Sequence, residues 1–358
     1  MNTAETGLSR IPVVESESSD FVALAGRGHR LLGAAFAMEG SDLAAAERHL
    51  QEAMAVHRQM GNQGDLCAAL FELGNIAAQR GELQRAIGLY NESANAAETG
   101  RIYYYLALAR NNFAYHSLLL GRIGQAREAI VQGIRVAEAH DLLAALLHLY
   151  STQGEIHLYL AEWDRAEESF RRGLSIADEL GSLERQAGYR GGLALAARGR
   201  NDPANAIKLL EEALDLIAGQ GYWHLRTRLQ IWMADCLRLQ KRNREAAELT
   251  EEAISVSRAH QRTMLLVEAE RVSAAVQAEE GHWPFAESLF IEAYDTACKL
   301  ELPLEIARVQ AAWGRAALLL SPAPEDGRSL IESARRVFAR CDARADLALL
   351  PENHSHPL

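Results

Sequence analysis

Seven alanines spaced 40 residues apart, Ala46, Ala86, Ala126, Ala166, Ala206, Ala246 and Ala286, constrain this chain more than any other feature of its sequence. Four positions after each marker comes Leu50, Tyr90, Ile130, Phe170, Leu210, Thr250 or Phe290, and seven after it Ala53, Ser93, Gly133, Gly173, Ala213, Ala253 or Ala293. An eighth copy keeps the register through Leu330 and Ser333, with Asp326 in place of the alanine. Small residues at i and i+7 with a larger one at i+4 form one stripe of an α-helix whose neighbour approaches closely. Twelve residues before the markers lies a second small residue: Ala34, Gly74, Ala114, Gly154, Ala194, Ala234, Ala274 and, in the last copy, Gly314. Self-similarity at this period specifies a stacked array of helix pairs, with one small residue on each helix of the pair. The expected fold is all-α, a right-handed superhelix of eight pairs, with helices of about 14 residues or ~21 Å.

Composition limits what such an array does. Net charge is −11, which excludes general nucleic-acid binding, a function that needs an excess of Lys and Arg. No uninterrupted apolar run is long enough for a membrane span, and residues 1–20 lack the pattern of a secretory signal. Cys67, Cys236, Cys298 and Cys341 stand far apart without metal-type spacing, so buried thiols in a reducing cytoplasm are expected.

Residues 1–20 read as a disordered tail and 21–341 as the array. A capping helix over Ala343 to Leu350 and a polar tail complete residues 342–358. Short turns such as Arg80-Gly81-Glu82 separate the helices of a pair, and longer connections such as Gly61-Asn62-Gln63-Gly64-Asp65 separate the pairs. Glycine supplies the left-handed residue that ends one helix, and Asp or Asn caps the next. Ser321 to Gly327, with two prolines, reads as an irregular loop. The aromatic groups Tyr103-Tyr104-Tyr105 and Tyr222-Trp223 open first helices and read as wedges between adjacent repeats.

Leu73-Gly74, Gly154 and Trp313-Gly314 on first helices, paired with the alanine and aromatic of the second, resemble the tetratricopeptide repeat family over about Phe21 to Cys341. The 40-residue period, where the standard repeat has 34, and the absence of its late proline resemble a longer-period subclass. That subclass includes MalT-like sensor regions, kinesin light chain and peptide-pheromone receptors of the Rap type. The resemblance implies that first helices line a concave groove, through positions 18, 15, 11 and 8 before each marker.

Read this way, the groove changes along its length. Its N-terminal half carries Asn75, Asn111, Asn112 and Tyr115, and carboxamides on neighbouring repeats can donate to and accept from a peptide backbone. The set partly resembles the carboxylate clamp of chaperone-binding members, but Phe71 stands where that clamp needs a lysine, so the chaperone function does not carry over. The C-terminal half carries Arg228, Arg238, Arg271, Arg308 and Arg315, suited to binding carboxylate or phosphate, or else to a salt-bridge lattice with Asp235, Glu268 and Glu279.

No nucleotide, nucleophile or zinc motif occurs, so neither an enzyme nor a cofactor is expected. The sequence points to a protein or peptide interaction scaffold, the sensor or adaptor part of a bacterial-type signalling system. Its partner would carry an acidic group for the arginine half, and a homo-oligomer is compatible with the sequence. The alternative is a small-molecule-sensing domain of a MalT-like regulator.

Overall fold

The computed structural model describes residues 19–39, 42–320 and 325–351. The tail expected before residue 19, the start of the loop at 321–324 and the polar end after 351 lie outside the described residues. The described residues are helix and short turn, with no strand among them.

Among the described residues eight helix pairs follow one another: α1 (Ser19–Glu39) with α2 (Leu43–Gln59), α3 (Gln63–Gln79) with α4 (Leu83–Gly100), α5 (Tyr103–Leu119) with α6 (Ile123–Ala139), and α7 (Leu143–Tyr159) with α8 (Trp163–Glu179). They continue as α9 (Leu183–Gly199) with α10 (Pro203–Leu216), α11 (Trp223–Leu239) with α12 (Asn243–Ala259), α13 (Thr263–Glu279) with α14 (Trp283–Lys299), and α15 (Pro303–Ala317) with α16 (Glu325–Cys341). A short α17 (Arg344–Ala348) closes the series. The array is an all-α repeat fold of the α-solenoid class.

Most helices, α8 among them, run 17 residues, longer than the expected 14. The reason lies in the turns, which are as short between pairs as within them. A left-handed residue recurs about every 20 positions, at Gly61, Gly81, Arg101, Gly121, Asp141, Ala161, Gly181 and Asn201 in the first five pairs. The next amide reaches back to the carbonyl five residues earlier, as in Glu82 N to Ala77 O at 2.9 Å, Glu162 N to His157 O at 2.9 Å and His282 N to Gln277 O at 2.9 Å. This is the Schellman closure, which satisfies orphan carbonyls and leaves no length for a longer loop. It forms whether or not glycine holds the left-handed position, so glycine spacing alone understates its regularity. Asp42, Asn62 and Asp202 cap the following helices through their side chains, and Pro203 follows Asp202 at the first helical position. The loop expected over Ser321 to Gly327 is shorter than read, since α16 begins at Glu325.

The repeat stripe is the core in the first seven pairs, while in the eighth the buried stripe is Gly327, Ile331 and Ala334, one residue past the expected Asp326, Leu330 and Ser333. All seven marker alanines are 0 % exposed, and the larger residue four places on fills the space opposite a small one. A Cβ at Gly74 would stand 2.6 Å from the Tyr90 ring, and one at Gly154 2.2 Å from the Phe170 ring, so these positions accept only hydrogen. The stacked rings lie within a pair and not between repeats as the wedge reading expects: Tyr103 at the start of α5 lies 3.6 Å from His140 just past α6, and Trp223 at the start of α11 lies 3.9 Å from His260 just past α12, centroid to centroid. Cys67, Cys236 and Cys341 are buried and Cys298 is exposed. Burial pushes the Cys67 thiol up to about 11 and Cys236 up to about 12, which leaves both inert at neutral pH.

The helices group into two compact units. The first runs to Ser117 and resumes over Gln125–Leu149; the second comprises Leu118–Gly124 and the chain from Tyr150 onward. No described helix is long and apolar enough to cross a membrane.

Candidate binding faces on the first helices

In the first unit, a recess of about 500 Å³ opens between helices, floored by Ala34 and Ala37 and walled by Glu72, Asn75, Tyr90, Asn112, Tyr115 and His116. Its polar groups form a directed chain. Asn111 Nδ2 donates to Asn112 Oδ1 at 3.2 Å, and Asn112 Nδ2 donates to Asn75 Oδ1 at 3.2 Å. The same Asn75 oxygen accepts the Tyr90 hydroxyl at 2.9 Å, while Asn75 Nδ2 donates to Glu72 Oε2 at 3.2 Å. A carboxamide has two N–H donors and two acceptor lone pairs. Asn75 and Asn112 therefore each keep one N–H, and Asn112 one lone pair, beyond the bonds of this chain.

The surrounding chemistry fixes that chain. His116 Nδ1 donates to the Asn112 carbonyl at 2.7 Å, which sets the tautomer and leaves Nε2 an acceptor. Burial lowers the His116 pKa, which keeps that ring neutral at neutral pH, and raises those of Glu72 and Tyr90. Tyr115 meets His116 edge-on at 5.2 Å.

Three of the four residues expected here, Asn75, Asn112 and Tyr115, line the recess. Asn111 sits behind it, buried, and acts through Asn112. Glu72, Tyr90 and His116 were not singled out by the groove spacing. Tyr90 reads as pure core from its register, and its hydroxyl at the end of a core ring is the signal that marks it.

In the second unit, first helices are joined by a charged ladder. Asp235 on α11 receives Arg198 from α9 and Arg238 from its own helix, the latter at 2.9 Å. Arg238 also reaches Glu279 on α13 at 2.6 Å, and Lys241 meets the same carboxylate at 3.0 Å. Trp232 Nε1 donates to Glu268 Oε1 at 3.1 Å, so this acid serves an indole and not an arginine. The guanidinium groups of Arg238, Arg198 and Arg271 outweigh burial and hold the Asp235 carboxyl well below the usual carboxylate range.

Arg308 is saturated by the chain itself. It binds Asp346 of α17 in bidentate fashion at 3.0 and 2.9 Å, Glu305 at 2.6 Å and the Tyr159 hydroxyl at 3.2 Å, with its guanidinium 4.5 Å over the Tyr159 ring. Arg228 is engaged and faces Glu155, whose carboxyl is pushed up by burial and pulled back by Arg228. Arg315 donates to the Leu349 carbonyl at 3.1 Å, and Arg271 makes no hydrogen bond or ion pair among the described residues. Arg238 and Arg308 thus stand as lattice members, and the five arginines do not form one open patch. Arg198 was legible, since it lies eight residues before Ala206 at a groove position. Asp346 was not, because it falls outside the repeat register.

No family profile matches the sequence, and no curated protein matches it. Solved structures with the same fold do. A Rap protein complexed with competence and sporulation factor is 14 % identical, with 92 % of this chain and 95 % of that chain covered at a TM-score of 0.61. NprR in complex with its cognate peptide NprX is 16 % identical, with 82 % of each chain covered at 0.56. A tetratricopeptide repeat protein from Parabacteroides merdae is 17 % identical, with 79 % of this chain and 98 % of that one covered at 0.54.

Proposed function

We propose that this chain is a non-enzymatic peptide-interaction scaffold, the sensor or adaptor part of a bacterial-type signalling system. The observation that carries the reading is the carboxamide pair Asn75 and Asn112, on neighbouring first helices, with unused donors and an acceptor at an open recess. Such groups suit the alternating N–H and C=O of an extended backbone, and Tyr115 offers an apolar flank for a side chain. The likeness in fold to NprR, solved with its cognate peptide, and to a Rap protein, solved with competence and sporulation factor, supports the same assignment. An acidic group of the partner would be met on the second unit, where arginines gather around Asp235.

The alternative, a small-molecule sensor of the MalT-like subclass, draws on the same recess, whose volume falls within the ~300–1,000 Å³ common for ligand pockets. Affinity capture from the source cell, followed by mass spectrometry, separates the two readings. The wild-type chain is compared with Asn112→Ala and Tyr115→Ala, each first shown to keep its melting temperature. A peptide or polypeptide retained by wild type and reduced at least tenfold by either variant supports the scaffold. A metabolite lost in the same way supports the sensor, and equal capture by all three removes the recess from the function.

A further inference from the structure

Around Asp235 the second unit gathers more positive charge than its own acids balance. Arg198 and Arg238 pair with Asp235, and Arg238 also pairs with Glu279. Arg271 and Arg315 reach the same carboxylate electrostatically, and Arg238 and Arg271 both act on Arg315. The nearby acids are committed elsewhere: Asp346 and Glu305 to Arg308, Glu268 to Trp232. Four guanidinium groups thus share Asp235 and Glu279, and Glu279 also serves the exposed Lys241.

The surplus sits on Arg271 and Arg315. Arg271 Nε is sealed from solvent with no hydrogen-bond partner, a costly state for a guanidinium donor unless something supplies an acceptor. Arg315 uses one Nη on the neutral Leu349 carbonyl. Both residues are half-buried, so neither is sealed off from an incoming group. The planar fork of each guanidinium matches two oxygens of one anion, which offers a second N–H···O bond and an opposite charge that the single Leu349 carbonyl lacks.

We infer that Arg271 and Arg315 form an oxyanion site, for a carboxylate or phosphate group, framed by Arg238, Asp235 and Glu279 and covered in the free chain by the Leu349 carbonyl. The inference rests on the reading of this first-helix face as a binding face, and narrows it from five arginines to two. Arg308 and Arg238 keep their partners when the anion binds, and Arg315 exchanges Leu349 for it.

Calorimetric titration of the full chain tests this with three probes at constant ionic strength: inorganic phosphate, a short peptide of Asp and Glu, and its Asn and Gln counterpart. Either acidic probe binding at least tenfold tighter than the neutral peptide, and losing at least tenfold in Arg271→Gln, supports the site. The tighter of the two identifies the source, a peptide carboxylate or a free oxyanion. Equal binding of all probes, or acidic binding unchanged by Arg271→Gln, overturns it. A second variant guards against a folding artefact: Arg271→Met in anion-free buffer should melt at or above the wild-type temperature, because it removes an unpartnered charge beside two others. A clear fall would make Arg271 a structural lattice member and overturn the site. The recess of the first unit is read separately through Asn112→Ala, so failure here and failure of the scaffold reading are distinguishable.

Discussion

Glu270 shows how much a single side chain in this array depends on its neighbours. It lies on α13 at 1 % exposure, its Oε2 without a partner, while Arg258 bridges it at 2.9 Å to Glu292 at 2.7 Å. One arginine shared by two carboxylates does not offset burial, so the Glu270 carboxyl is pushed up to about 7, burial first. The folded chain therefore holds this proton to higher pH than the unfolded chain does. Stability from the site is full below the ordinary value of 4.5 and is lost as pH rises through about 7. Glu270→Gln, neutral throughout, should raise the denaturant midpoint relative to wild type at pH 8 and lose that advantage at pH 5. Equal midpoints at pH 8 would show that Glu270 stays ionised in the fold at no cost.

At the scale of the element, the Phe170 ring of α8 stands between two first helices. A Cβ would meet it at 2.2 Å from Gly154 on α7 and at 2.7 Å from Gly192 on α9. The ring is buried in the core and cannot swing aside. Gly154→Ala should therefore cost about 1–3 kcal/mol, the usual range for overpacking, read as a lower denaturant midpoint. Gly188→Ala is the control on α9: a Cβ there meets nothing within 4 Å, and helix propensity should make it stabilising by roughly 0.5–1 kcal/mol. If both changes shift the midpoint alike, the contact with Phe170 is not what fixes the glycine. This layer was legible in the sequence, because a small residue at a fixed offset from an aromatic records a packing contact that every repeat must remake. The turns were less legible: Arg101, Ala161 and Glu301 close them in the left-handed conformation where only glycine would have announced it. The carboxamide chain was half legible. Groove spacing found Asn75 and Asn111, but the bond from Asn112 to Asn75 depends on which way two side chains turn across neighbouring helices.

For the whole molecule, the question is what ends the series, since a bare terminal repeat would leave an apolar face open. Past α16 the repeat register is not kept, and a short apolar segment follows. The structure seats that segment as α17 through a polar contact, the fork of Arg308 on Asp346, with Glu305 and the Tyr159 hydroxyl completing the guanidinium's partners. The side chains of Arg308 and Asp346 are only 20 % and 14 % exposed, so the two charges have largely left water and depend on each other. Removing one partner from such a pair strands the other. Asp346→Ala should cost about 2–4 kcal/mol, somewhat below the range for fully buried pairs because Glu305 still faces Arg308. Arg308→Met with Asp346→Leu replaces the pair by apolar volume and should recover most of that loss. A denaturation series on the single and double variants checks both figures. If Asp346→Ala unfolds with wild type, α17 is held by its apolar residues alone, and Arg308 becomes available for an acidic partner.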